Sequence, residues 1–357
     1  KSGNDGGSGL EVVARAMETL RNDQVSLEWA CQLYWCLSTS VDMVGSLSSS
    51  PVHVLAIMNT VRMFSKRSST AALMEASFGA LANFSRNDQL SAVIVDAGIV
   101  SILIDSMRHY SDDEGVNVEA CTLLSNLAQN ARNKDELIQY DGIDILLRVI
   151  RRFPRNSELQ EEAVIALLCL TIASEDGKIA MITESTFSLL VEILSDVNAS
   201  TNLHELVCSV LGSLCTLGGP AQFAATTTGM IDSILLTMKM RPKERKLIEA
   251  ATLLLRNLSC HEASLHVLLG NDVIQAVCSA MNSVSDSESV QVNGCCTLWS
   301  ICARDNQRPI NNTGDEAIEQ IVKSMQLHMG SAQVLEMACG ALWSLVDNCD
   351  ERKCLVV

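Results

Sequence analysis

Histidines and carboxylates that could carry chemistry are present, but none has the spacing of a catalytic or metal-binding motif. His204-Glu205 begins like the helical zinc-protease motif, which needs a second histidine four residues after the first, and a cysteine stands there instead. His261 and His266 are spaced by five residues, which places them on different faces of a helix. No phosphate-binding loop, dinucleotide fingerprint or Gly-x-Ser-x-Gly elbow occurs. The sequence therefore predicts a protein that is not an enzyme and that holds no metal and no cofactor.

The charge balance points to the kind of partner. The 357 residues carry a net charge of −16, which disfavours nucleic acid and favours basic proteins. No apolar run approaches the roughly 18 residues of a membrane-spanning helix, so membrane insertion is not expected.

The number and spacing of the cysteines do not indicate a disulfide framework. There are 14 in a long chain, and no Cys-x-x-Cys pair occurs. Most lie in apolar stretches, among them Cys121, Cys169, Cys208 and Cys339, where we expect small core residues. This usage predicts a reducing compartment, with a cytoplasmic location favoured and a nuclear one open.

An internal repeat organises the chain. Eight apolar residues, here called anchors, recur at intervals of 43 to 47 residues. The anchors are Leu37, Phe84, Leu127, Leu170, Leu214, Leu258, Ile301 and Leu345. Columns are numbered relative to the anchor, so that column −3, which is apolar throughout, lies three residues before it. Columns −7, −4, −3 and 0 share one face of a helix, and column −7 is small in almost every repeat, which suits a close helix crossing.

Two further helices are predicted between successive anchors. A short helix follows the anchor, a turn residue comes 13 to 15 residues after the anchor, and a second helix starts there. The turn residues include Gly98, Gly142, Gly229 and Gly314, with Ser185 in one repeat. Each repeat is therefore predicted to contain a short first helix, a turn, a second helix, a loop and a long third helix, in that order.

This pattern resembles the armadillo repeat. The likeness rests on the Glu-x-x-x-Gly-Ala-Leu-x-x-Leu/Phe type of third helix, as at residues 75–84 and 336–345, and on the turns Ala97-Gly98 and Asp141-Gly142. It implies an all-α, right-handed superhelical solenoid of about eight armadillo repeats, the last one incomplete, over residues 10–357 after a flexible tail at residues 1–9. It also implies a concave groove lined by the third helices and a role in protein interaction. The incomplete last repeat leads us to expect a piece of a longer protein or an edge covered by a partner.

Columns −9, −5 and −2 lie opposite the core face and would face such a groove. Column −2 holds Trp35, Trp299 and Trp343, and also Arg256. A tryptophan turned away from the core is a common binding anchor, and the alternative is that these rings lean onto neighbouring repeats.

Column −9 is glutamate in six of the eight repeats, which we interpret as an acidic ladder for a lysine- or arginine-rich segment. Its members are Glu28, Glu75, Glu161, Glu205, Glu249 and Glu336. The alternative, which can hold together with the first, is that these carboxylates lie in the first turn of their own helices and complement the helix dipole.

Column −1 contains Asn83, Asn126 and Asn257. The resemblance implies that an asparagine here holds the main chain of a bound peptide through its amide. Five repeats lack it, and column −5 lacks the tryptophans of importin-α-like proteins. Binding of nuclear-import cargo, as in importin-α, is therefore disfavoured, and a continuous clamp on an extended peptide is not predicted.

Two basic clusters lie in loops between second and third helices and are expected to share one edge. They could dock a phosphate or an acidic tail, or they could form a solvated edge. Their residues include Arg151, Arg152 and Arg155 in one loop and Lys239, Arg241 and Lys243 in the other.

The predicted function is a non-catalytic scaffold that binds a basic, extended or helical protein segment in the groove of the third helices. Two alternatives remain open, a structural assembly subunit held by its loop edges and a recognition arm of a larger multidomain protein. The sequence leaves the partner and the oligomeric state undetermined.

Overall fold

The structure is a computed structural model that describes residues 9–48, 50–67, 69–219, 228–270, 272–304, 313–347 and 353–354. Over these residues the regular secondary structure is helical, with no strand, which confirms the predicted all-α class. Of the tail predicted at residues 1–9, residues 1–8 lie outside the described part of the chain, and Gly9 begins the first helix.

The chain divides into two compact units, Lys1–Ala180 and Met181–Val357. The third helices of repeats 1 to 4 lie in the first unit and those of repeats 5 to 8 in the second. In order, the third helices are Gln24–Ser38, Ala71–Phe84, Glu114–Leu127, Ser157–Thr171, Thr201–Leu214, Arg245–Ser259, Glu288–Arg304 and Ala332–Val346.

Second helices precede the third helices in all eight repeats. They are Gly9–Thr19, Val52–Phe64, Ile99–His109, Gly142–Arg152, Glu184–Ser195, Met230–Met240, Val273–Ser283 and Thr313–Leu327. The short first helices within the described residues are Val41–Leu47, Asp88–Asp96, Ala131–Gln139, Glu175–Met181 and Glu262–Gly270.

Packing follows the repeat. Within each unit the third helix of one repeat packs against the third helix of the next, and each second helix packs against the third helix of its own repeat. Every anchor is buried except Leu37, which is half-buried. The small column −7 allows the close crossing: a Cβ on Gly294 would stand 2.5 Å from the Met281 sulfur of the second helix.

A buried polar side chain at column −10 ties the second helix to the third in several repeats. Asn117, Gln160 and Gln291 donate their side-chain N–H groups to main-chain carbonyls at the end of the second helix, at 2.7–2.9 Å. His204 contacts the corresponding carbonyl through Nε2 at 3.0 Å. These bonds satisfy carbonyls that the helix end leaves without an intrahelical donor.

The turn before the second helix varies in how it is built. Gly98 and Gly229 take the left-handed backbone conformation, with φ of 75° and 72°. In repeat 4, however, Asp141 takes it, with φ of 64°, because aspartate tolerates this region better than most residues. Gly142 then begins the helix, where a Cβ would stand 2.6 Å from the Leu137 carbonyl oxygen.

The other two predicted turn residues lie inside second helices. Gly314 falls within Thr313–Leu327, and Ser185 falls within Glu184–Ser195. In the latter repeat Thr183 is the residue before the helix, and its side chain accepts a hydrogen bond from the Thr186 N–H. A capping side chain therefore replaces the turn glycine there.

The cysteines of the described residues are free thiols. Cys121 and Cys208 are buried as predicted, and Cys169 is half-buried. The prediction for Cys339 is wrong, because this thiol is exposed. It shares column −6 with Cys31, which accepts a hydrogen bond from the next repeat. Among the described residues no third helix follows repeat 8.

Candidate protein-binding surface

The tryptophans of column −2 contact column −5 of the following repeat. The Trp35 ring lies directly over Gly79, and the Trp299 ring lies over Gly340, where an added Cβ would stand 2.8 Å from ring atom Cδ2. Both indoles are half-buried. Glycine at column −5 thus makes room for the ring, and the contact between neighbouring repeats uses part of each tryptophan.

Trp343 occupies the same column in repeat 8 and is 65% exposed. Within the described residues no third helix lies on its far side. Trp29, outside this column, is also largely exposed. Of the three predicted groove tryptophans, Trp343 is therefore the one whose ring is most available to a partner.

The asparagines of column −1 connect neighbouring third helices. Asn83, Asn126 and Asn257 each donate through Nδ2 to the column −2 carbonyl of the preceding repeat, at 3.5, 2.8 and 2.9 Å respectively. Asn83 also donates to the Ser38 hydroxyl at 3.1 Å. For Asn126 and Asn257, one N–H of the amide and its oxygen remain to meet a ligand.

The glutamates of column −9 lie at the fifth position of their helices, so the first-turn interpretation is wrong. Two of them, Glu75 and Glu249, contact the start of the next third helix instead. The Glu75 carboxylate lies over Gly115, and Glu249 Oε1 accepts a hydrogen bond of 2.6 Å from the Ser287 hydroxyl. A carboxylate at that place complements the partial positive charge of a helix start. Glu28, Glu161 and Glu205 are half-buried, and Glu336 is exposed.

The first unit gathers further carboxylates around this column. Glu119 and Glu162 lie at column −8 of repeats 3 and 4, and Glu119 is close enough to Glu75 to interact with its charge. Burial, followed by the charges of Glu75, Glu158 and Glu162, raises the pKa of Glu119 to about 7. We call Glu75, Glu119, Glu158 and Glu162 the acidic cluster.

The neighbours of Glu119 are perturbed in the same direction. Burial and the charge of Asp113 raise the pKa of Glu75. Burial and the charge of Glu158 raise the pKa of Glu162, partly opposed by a hydrogen bond from Thr122 and by the charge of Arg86. Sequence reasoning on column −9 alone missed Glu119 and Glu162; the glutamates at column −8, one residue along the helix, were the available signal.

In the second unit, three predicted residues share one groove of about 610 Å³. Glu205, Glu249 and Arg256 line it, together with Lys246 and Glu288 from repeats 6 and 7. The groove runs over the third helices of repeats 5 to 8 and contains both signs of charge. Arg256 Nη1 is held by a hydrogen bond of 3.2 Å to the oxygen of Asn293, which also lines the groove.

The basic cluster of the first unit is partly engaged in the fold. Arg152 Nε donates to Asp112 Oδ1 at 2.7 Å and so bonds to the loop of the preceding repeat. Arg151 and Arg155 are exposed.

The basic cluster of the second unit divides in the same way. Arg241 donates to the Ala199 carbonyl at 2.6 Å and contacts the buried ring of His204. Lys239 and Lys243 are exposed. Arg241 is therefore part of the structure between repeats, while the two lysines remain candidates for an anionic partner.

A second hollow, of about 600 Å³, lies between the second helices of repeats 6 and 7. Apolar side chains such as Leu236 and Met238 line it, with Asp232, Asp272 and Lys239 at its rim. Sequence reasoning missed this hollow because the columns considered were those of third helices only.

In the described part of the chain, no group of three or more His, Cys, Asp or Glu side chains is arranged to hold a metal ion. No single helix among the described residues is long and apolar enough to cross a membrane, although the bent pair Asp88–Asp96 and Ile99–His109 meets that test when its helices are taken together.

The three-helix repeats with packed third helices define an armadillo-repeat protein. The family profile of the LRRK2 ARM repeat matches residues 10–219, more than half of the chain, and the chain belongs to this family.

Known proteins of similar sequence and fold agree with this assignment. The chain is 26% identical over 134 residues to Rap1 GTPase-GDP dissociation stimulator 1-A of Xenopus laevis; the match covers 37% of this chain and about a fifth, 21%, of that relative. A structure from work on cadherin and beta-catenin matches with a TM-score of 0.61 and 18% identity, covering 95% of this chain and 69% of the other. A designed armadillo repeat protein in complex with peptide (KR)4 matches with a TM-score of 0.57 and 18% identity, covering 70% of this chain and all of the other. The structural matches show the fold.

Proposed function

We propose that this chain is a non-catalytic protein-interaction scaffold whose third-helix surface binds a lysine- and arginine-rich segment of a partner protein. The observation that carries this proposal is the acidic cluster of the first unit. Its central member, Glu119, has a pKa raised to about 7 by burial and by surrounding carboxylates. The fold thus holds negative charges close together at a cost in free energy.

A basic partner would reverse that cost. A lysine or arginine side chain placed among the carboxylates converts repulsion between like charges into attraction, and arginine can bind a carboxylate through two parallel hydrogen bonds. Because Glu119 is half-buried, this attraction is less screened by solvent than one between fully exposed charges.

The groove of the second unit supplies a different kind of contact. Glu205, Glu249 and Glu288 offer carboxylates, while Lys246 and Arg256 interrupt the negative surface. A segment that binds there would need acidic or polar side chains beside its basic ones. The exposed ring of Trp343 supplies an apolar anchor in the same unit.

The designed armadillo protein supports a basic ligand, since it is complexed with a peptide of alternating lysine and arginine. Its identity to this chain is 18%, so the likeness is one of fold, and the acidic cluster of this chain has to provide the specificity.

Binding of a labelled (KR)4 peptide, followed by fluorescence anisotropy at low ionic strength, tests the proposal. The double variant Glu119→Gln, Glu162→Gln should bind about tenfold more weakly, a loss of about 1.4 kcal/mol. The matched control is Glu192→Gln, a change at an exposed mid-helix glutamate in the second unit, which should leave the affinity unchanged.

The proposal also predicts the effects of pH and of peptide charge. Affinity should fall from pH 8 to pH 6 as Glu119 takes up a proton, and a (DE)4 peptide should not bind. Equal affinity of the wild-type chain and the double variant, or equal binding of both peptides, would reject the basic-segment function.

A further inference from the structure

Two thiols lie side by side in the second unit, on neighbouring third helices. Cys260 directly follows the third helix of repeat 6, and Cys296 lies at column −5 in the third helix of repeat 7. The Cys296 thiol interacts with both the Cys260 thiol and the Arg256 guanidinium. Cys260 is exposed and Cys296 is half-buried, so both can be reached from solvent.

Independent contacts place Arg256 beside Cys296. Column −2 of one repeat meets column −5 of the next at Trp35 and Gly79, and again at Trp299 and Gly340. By the same rule, Arg256 at column −2 meets Cys296, and Cys260 lies one helical turn beyond Arg256 on the same face. The hydrogen bond from Arg256 to Asn293, one turn before Cys296, fixes the two helices at this level.

We propose that Cys260 and Cys296 form an oxidisable thiol pair beside the groove of the second unit, which a hydroperoxide converts into a disulfide between the third helices of repeats 6 and 7. In the first step the Cys260 thiolate attacks a peroxide oxygen; an S–O bond forms, the O–O bond breaks, and the other oxygen leaves as water after protonation. In the second step the Cys296 thiolate attacks the sulfenic sulfur; the S–S bond forms, the S–O bond breaks, and a second water leaves. The two sulfurs are oxidised, and the two peroxide oxygens are reduced.

The surroundings favour this pair over the other thiols near it. Burial raises the pKa values of Cys278 and Cys295 to about 12, which keeps both as unreactive thiols. Burial raises the pKa of Cys296, the adjacent Arg256 guanidinium opposes that rise, and Cys260 adds to it. Because Arg256 lines the groove, the disulfide would form next to a surface that a partner could contact. This inference does not depend on the proposed binding of a basic segment.

The test treats the reduced full chain with hydrogen peroxide, blocks the remaining thiols with N-ethylmaleimide, and maps linked peptides by mass spectrometry without reduction. We expect one predominant linked peptide joining Cys260 to Cys296, with a loss of two titratable thiols that dithiothreitol restores. Cys260→Ser and Cys296→Ser should each abolish the linked peptide. The matched controls are Cys36→Ser and Cys339→Ser, at exposed cysteines, and both should leave it unchanged.

Three results would overturn the proposal. These are the absence of the linked peptide, its appearance at no greater yield than links between other cysteines, and an unchanged reversible loss of thiols in the Cys296→Ser protein. The serine variants change exposed or half-buried positions, and circular dichroism verifies that each remains folded before oxidation.

Discussion

Replacing Glu119 with glutamine should stabilise the protein, and the gain should depend on pH. The pKa of Glu119 is raised from 4.5 to about 7, mainly by burial and then by the neighbouring carboxylates. Between these values the folded state holds a proton that the unfolded state has lost, so this residue's contribution to stability falls as pH rises. The contribution is fully present below pH 4.5 and is lost as pH rises through 7.

The size of the effect follows from the shift. A difference of about 2.5 units corresponds to about 3.4 kcal/mol at 1.36 kcal/mol per unit, reached well above pH 7. Because Glu119 is half-buried and partly screened by solvent, about half of this is expected. Glutamine has nearly the same shape and no charge, so Glu119→Gln should gain about 1.7 kcal/mol at pH 8 and about 0.4 kcal/mol at pH 5.

Urea-induced unfolding, followed by circular dichroism at both pH values, measures this difference as a shift in midpoint at constant slope. The control Glu192→Gln removes a charge from an exposed position and should change stability by less than about 0.5 kcal/mol at either pH. If Glu119→Gln destabilised the protein at pH 8, or had the same effect at both pH values, the acidic cluster would not be strained and the electrostatic reasoning would be refuted.

Three further variants probe contacts between and within repeats. Gly340→Ala brings a Cβ to 2.8 Å from the Trp299 ring and should lower the urea midpoint by the equivalent of about 1–2 kcal/mol, whereas Gly45→Ala, with open space around it, should have no such cost. Asn257→Ala removes a hydrogen bond of 2.9 Å between neighbouring repeats and should cost about 1 kcal/mol in the same assay. Burial and a nearby arginine lower the pKa of His204, so the wild-type chain should lose stability as pH falls below about 6.5, and His204→Gln should reduce that slope in a thermal melt across pH 5–7.

The helical repeat could be predicted because it depends on the local spacing of apolar and small residues along the chain. The spacing of residues such as Leu127 and Leu170, with a small residue seven positions earlier, identifies an amphipathic helix without knowledge of its neighbours. The turn before the second helix was less predictable, since different residues build it in different repeats. Asp141 takes the left-handed conformation that Gly98 takes, and Thr183 caps its helix through its side chain. Several residue types can build a turn at the start of a helix, so the repeat pattern predicts where the turn lies but not which residue forms it.

The candidate surface was predictable only in part because its properties arise between repeats. Column −2 identifies Trp35 and Trp299 in the sequence, but only the structure shows a glycine of the next repeat under each ring. Likewise the perturbed group in the first unit is Glu119, one column away from the predicted ladder, because its pKa depends on carboxylates from two neighbouring repeats. A sequence column contains one residue per repeat and carries no information about which columns of adjacent repeats meet.

These contacts between repeats limit which surface residues remain for a partner. Asn83 and Arg241 already donate hydrogen bonds to the preceding repeat, and part of the Trp299 ring packs against a glycine of the next repeat. Under the proposed function, binding free energy therefore has to come from groups that these contacts leave accessible. The groups that we propose for this role are the acidic cluster in the first unit, whose repulsion a basic partner would relieve, and the exposed ring of Trp343 in the second. A variant at Trp343 should consequently change partner binding more than stability, whereas a variant at Trp299 should change both.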